Sequence, residues 1–171
     1  METKAGTFQD DLDRYLSGPV RLSELIASTP PGAMDFELPD RWTIRQTVHH
    51  LADGDYLWKL FIMMALGDSP MPFEIPWYWM AGQTTMAARW NYHGREIQGS
   101  LALLDANRQH TYVLLSSIPK ADAKILAILW PDGDVQRASL AEVIASQADH
   151  VDGHMEDICH IIDQYEKSTS S

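Results

Sequence analysis

Thr43-Ile44-Arg45-Gln46-Thr47-Val48-His49-His50-Leu51-Ala52-Asp53 is the stretch from which the fold can first be read. Thr43 and Gln46 are spaced as a capping box. The hydroxyl can accept the backbone N–H of the third helical residue, while the Gln side chain returns to the N–H of Thr43. Behind this start, Ile44, Leu51, Trp58 and Ile62 recur at helical spacing and define an apolar stripe. The helix is predicted to run to about Leu66, where Gly67-Asp68-Ser69-Pro70 breaks it.

Three further helices are expected around this one. The last opens with a second capping box, Ser139-Leu140-Ala141-Glu142, and reaches about Lys167, leaving a polar tail at Ser168 to Ser171 that is expected to fray. The first spans about Thr7 to Ala27, with Gly18-Pro19 in its middle predicting a kink or a break. The third spans about Arg95 to Ser117, before Pro119. Four helices of this length make an all-α four-helix bundle, with residues 1–171 as one domain. Two long connections remain, Gly67 to Gly94 and Lys120 to Arg137. Within the second, Ala123 to Trp130 is a short apolar run that reads equally as strand, helical turn or packed loop.

Composition narrows the functional classes. A net charge of -11 leaves no basic surface to neutralise phosphates, so nucleic acid is excluded as an expected partner. No window is apolar enough for a membrane span. The single cysteine, Cys159, cannot close an internal disulfide and is expected to be a core or boundary thiol. With no signal-like N-terminus, a cytoplasmic location is expected.

Among the seven histidines, helical projection at about 100° per residue separates inward from outward rings. His150 and His154 are one turn apart, beside the apolar stripe of the last helix. His160 falls on the polar side with Asp149, Asp152 and Asp163. On the second helix His50 flanks the stripe, whereas His49 points about 100° further from the core and is read as second-layer or surface. Asp53 and Asp157 each follow a histidine by about one turn and could orient it, Asp157 being the better placed. A shared divalent cation would satisfy three inward imidazoles at once; three separately hydrogen-bonded core histidines fit the same pattern.

The stretch Asp40 to Asp53, read as Trp-Thr-x-Arg-Gln-x-x-His-His-x-Ala-Asp from Trp42, together with His150-x-x-x-His154 and Ile158, resembles the DinB/YfiT-like superfamily. The resemblance implies a four-helix bundle, a divalent metal (nickel or zinc) on His50, His150 and His154, and a homodimer. Relatives include thiol S-transferases that use a low-molecular-weight thiol, and proteins labelled metal-dependent hydrolases. This sequence departs from the family in carrying Gly153 and Asp157 where further histidines flank the ligand pair, and Gly54 where a serine follows Ala-Asp.

An open three-histidine centre suits two chemistries: transfer of a thiol to a small electrophile, or hydrolysis of a small ester- or amide-like substrate. No glutamate stands between the paired histidines as a general base, which favours thiol transfer; a non-catalytic metal- or ligand-binding protein is the further alternative. The loop Met71 to Met80 is rich in aromatics. Trp77 and Trp79 in it could wall a substrate pocket or simply pack on the bundle, and Trp90, Tyr92 and His93 carry the same two readings.

Overall fold

The computed structural model describes residues 7–69 and 71–170. Met1 to Gly6, on which the N-terminal reading rests, Pro70 of the predicted breaker and Ser171 of the tail lie outside them. Four long helices form the bundle: α1 (Phe8–Ser28), α2 (Ile44–Leu66), α5 (Gln98–Ser117) and α6 (Leu140–Thr169). Both predicted capping boxes form, at Thr43 and Ser139, and a third caps α1 through Thr7 and Asp10. The expected frayed tail is a correction: α6 continues through Ser168 and Thr169, whose hydroxyls donate to the Tyr165 carbonyl.

The helices form a ring in the order α1, α5, α2, α6. α1 packs closely on α6 and α5, α2 packs on α5, and the seam between α2 and α6 is the most lightly packed. On the outside of the α1–α6 seam Arg14 pairs with Asp149 and Arg21 with Asp152. The core falls into two apolar clusters. One gathers Leu12, Phe61, Ile62, Leu115, Leu140 and Ile144; the other gathers Leu22, Ile44, Leu51, Leu104, Val151 and Ile158.

A buried ion pair lies between these clusters along the helices. Arg108 of α5 is 1% exposed and donates through Nε to Asp55 Oδ1 of α2 at 2.9 Å. Its two terminal nitrogens donate to the carbonyls of Tyr15 on α1 (3.0 Å) and Gln147 on α6 (2.9 Å), so one guanidinium ties all four helices. This accounts for the uninterrupted course of α1 through Gly18-Pro19, where the sequence predicts a kink or break. Pro19 has no N–H for the carbonyl four residues back. That carbonyl is Tyr15's, and Arg108 serves it instead. A Cβ at residue 18 would stand 2.9 Å from Arg108 Nη1, so glycine there keeps the path open.

The connections are more structured than their composition suggests. Residues 67–94 contain two short helices, α3 (Pro76–Ala81) and α4 (Gln83–Arg89). Residues 125–139 form an antiparallel hairpin, β1 (Ile125–Leu129) with β2 (Val135–Ser139), turning at Gly133 with φ +92°. The apolar run is thus a strand, with Leu126 and Ile128 in the core. Its partner Val135-Gln136-Arg137-Ala138-Ser139 has no apolar alternation because its first three residues are exposed. Phe73 adds to the open edge of β1, its N–H donating to Ala127 and its carbonyl accepting from Leu129. The aromatic loop is thereby stitched to the hairpin over the end of α2.

Candidate metal centre and its cavities

His50, His150 and His154 converge at the α2–α6 seam, their ligand atoms all within 4.8 Å of one another. His150 Nε2 lies 3.2 Å from His50 Nε2 and 3.1 Å from His154 Nε2. The edge of a tetrahedron built on metal–nitrogen bonds of about 2.0–2.1 Å is close to 3.3 Å, so the spacing matches a common cation. Burial, reinforced by the neighbouring imidazoles, pushes His50 down to about 3 and His150 to about 4. His154 is lowered by burial too, with Asp157 opposing. The rings are therefore neutral near pH 7, the form that can ligate.

The surroundings set tautomer and orientation. Asp157 Oδ2 stands 3.5 Å from His154 Nδ1, while its Oδ1 accepts from Arg41 Nη1 at 2.6 Å. A proton on Nδ1 facing the carboxylate leaves the Nε2 lone pair directed into the cluster. Among the described residues, the Nε2 atoms have only one another as partners. Lone pairs converging without donors are the arrangement a cation resolves, so the donor set fits a divalent metal. Trp42 packs edge-on against His50, centroids 4.6 Å apart, and fixes that ring from the side.

Two cavities adjoin the imidazoles. The larger, about 580 Å³, reaches His50 and His150 and is walled by Trp58, Phe61, Tyr78, Trp79 and Trp130. Among the described residues, no Asp, Glu, Lys or Arg lines it. The smaller, about 470 Å³, reaches His154 from the other side, with Arg41, Trp42 and Asp157 in its wall. The hairpin and the aromatic loop build the larger one: Trp79 and Trp130 meet at 4.6 Å, and Phe61 and Phe73 at 3.9 Å.

The remaining sequence candidates go elsewhere. His49 is fully buried, which corrects its reading as a surface residue. Its Nδ1 bonds Ser100 Oγ at 2.8 Å and its ring packs on Tyr92, fastening α2 to α5 and the preceding loop. The projection failed because the first half of α2 is enclosed on both flanks. Asp53 pairs with Arg95 at 3.0 Å. Trp77 is 54% exposed and rests against Tyr78 and Trp90, outside the cavity that Trp79 lines. His93 meets Gln46, and His160 is exposed. Cys159 is exposed, not in the core or at its boundary. Sequence reasoning missed Trp42 and Arg41, although both stand in the stretch that carries the motif, and missed Gln147, which lines the larger cavity one turn before His150.

The fold is shared with a solved structure. YfiT from Bacillus subtilis, described as a probable metal-dependent hydrolase with an unusual four-helix bundle topology, superposes with a TM-score of 0.80 at 17% identity. The match covers 97% of this chain and 94% of that one. No curated protein matches the sequence. The DinB superfamily model matches residues 15–158, which hold all three clustered imidazoles and the four-helix frame that brings them together, and the chain belongs to that superfamily.

Proposed function

We propose that the protein is a divalent-metal-dependent enzyme that joins a low-molecular-weight thiol to a small electrophile. The observation that carries this reading is the placement of three neutral imidazoles beside a cavity that no carboxylate among the described residues lines. A divalent ion bound there supplies a Lewis-acid centre that lowers the pKa of a coordinated thiol or water. His50, His150 and His154 would hold it, and Asp157 keeps His154 in the ligating tautomer. Hydrolysis wants a carboxylate base within reach of the attacking water. The carboxylate that contacts the imidazole cluster, Asp157, is engaged by Arg41 and His154. A thiol, with a free pKa of about 8.5, gives up its proton far more readily. In the transfer, a sulfur lone pair forms the new C–S bond, the leaving group departs with its electron pair, and the thiol proton passes to solvent. The aromatic walls keep the electrophile out of water while the smaller cavity, with Arg41 and Asp157 in its wall, gives the thiol a separate approach.

The test is a panel of cellular thiols with a generic aryl electrophile, using protein loaded with nickel or zinc. Turnover at least tenfold above His50→Ala is expected; rates equal to that variant exclude the reading. Metal-dependent hydrolysis is the second reading, supported by the description of the structurally similar YfiT. It predicts thiol-independent cleavage of activated esters under the same conditions.

A further inference from the structure

Gly54 interrupts an otherwise bulky face of α2. His50, Gly54, Leu57, Trp58 and Phe61 all line the larger cavity, and their spacing puts them on one side of the helix. Gly54 stands one turn from His50 and one turn from Trp58, so its missing side chain leaves a notch about 6 Å along the axis from the imidazole. Glycine inside a helix is less favourable than alanine, because its freer backbone loses more on ordering. Neither packing nor backbone geometry requires it here. At Gly18 and Gly32 a Cβ would collide with Arg108 and Tyr165, and Gly82 and Gly133 take positive φ. A Cβ at residue 54 meets no atom within 4 Å, and the residue lies inside α2 without a positive φ. Gly99 and Gly153 are open in the same way but are exposed, whereas Gly54 is half-buried and opens into the cavity.

We propose that Gly54 determines which substrates the centre accepts: the notch seats a planar aromatic ring of the electrophile beside the imidazoles, and a side chain there would deny it. The inference names a substrate class for the metal-dependent enzyme and rests on that reading for the reaction, but not for the seating. His50 bounds the notch on one side and Trp58 on the other, with Trp79 and Trp130 in the facing wall. Flat rings gain more against such walls than flexible alkyl chains do, because faces and edges of aromatic groups pack favourably beyond simple burial. Ser146, Gln83 and Tyr78 add neutral polar groups to the wall, which suits a ring carrying neutral polar substituents.

Calorimetric binding of naphthol and of its saturated counterpart decahydronaphthol tests this, on metal-loaded protein and again after chelation. Naphthol is expected to bind at least about fivefold tighter than the saturated probe, the scale of one favourable aromatic pair. Gly54→Ala should keep naphthol affinity within about threefold, while Gly54→Leu and the more pliable Gly54→Met lose at least about tenfold. Gly54→Ala should also raise Tm by about 1–4 °C, since the added methyl enters open space. Gly99→Leu, at an open glycine outside the cavity, should leave naphthol binding unchanged. Equal affinity for the two probes, undiminished naphthol binding in Gly54→Met, a matching loss in Gly99→Leu, or a lowered Tm in Gly54→Ala overturns the proposal. The metal reading is scored apart by elemental analysis of loaded protein: failure to retain a divalent ion would sink it, whereas the ring's seat is judged on chelated protein alone.

Discussion

His150 Nε2 is within 3.2 Å of both other imidazole nitrogens, so it is the shared corner of the cluster. His150→Ala is expected to abolish binding of a divalent ion, read by elemental analysis of metal-loaded protein; retained metal would place the ion elsewhere. Asp157 acts through His154. Asp157→Asn keeps the shape but removes the charge that fixes Nδ1–H, and metal affinity should fall about 10–100-fold in a chelator competition titration. Of the residues involved, His50 was placed inward by projection because it flanks the apolar stripe, and the structure buries it. His49 was not readable in the same way: its burial comes from Ser100 and Tyr92, which reach α2 through a loop and another helix.

Arg108 makes the four long helices a single cooperative unit. Replacing it by Met leaves Asp55, 2% exposed, as an unpaired buried carboxylate and frees the Tyr15 carbonyl below Pro19. Loss of roughly 3–5 kcal/mol is expected from denaturant unfolding, as for one half of a broken buried pair. Loss of under 1 kcal/mol would show that the bundle does not depend on this tie. The cap of α6 is a smaller matter. Ser139 accepts from the Glu142 N–H, and Glu142 returns to the Ser139 N–H. Ser139→Ala should cost about 1 kcal/mol. Such caps are legible because their partners are three residues away. The second strand was not, because its pairing with Ile125 to Leu129 is a backbone matter that leaves little trace in side-chain pattern.

Over the whole molecule, the imidazole cluster couples stability to pH and metal. In the metal-free protein, burial keeps His50 at about 3 and His150 at about 4, against the usual 6.5. Above 6.5 both rings are neutral, folded or unfolded, and contribute no pH dependence. As pH falls below 6.5 the unfolded chain takes up these protons first, so stability is lost progressively down to about 3, His150 levelling off near 4 and His50 last. Thermal unfolding of chelated protein across that window should show a falling Tm, with a shallower slope when both residues are replaced by Leu. An equal slope in the double variant would assign the effect to other groups. Near neutral pH, chelation itself should lower Tm, since an ion at about a hundred times its Kd stabilises by about 2.7 kcal/mol. Among the described residues no helix is long and apolar enough to cross a membrane.

The sequence by itself determined what is local. Helix starts at Thr43 and Ser139, the approximate spans of the four helices, and the pairing of His150 with His154 on one face all follow from interactions within one turn. Tertiary structure decided everything that depends on residues brought together from far along the chain. His50 and His150 are 100 residues apart, and their convergence requires α2 and α6 to share a seam. The aromatic loop becomes a wall only where Phe73 joins the hairpin and Trp79 meets Trp130. Side-chain periodicity reports which face of a helix is apolar; which partner covers that face, and what chemistry the gap holds, is set by packing between elements.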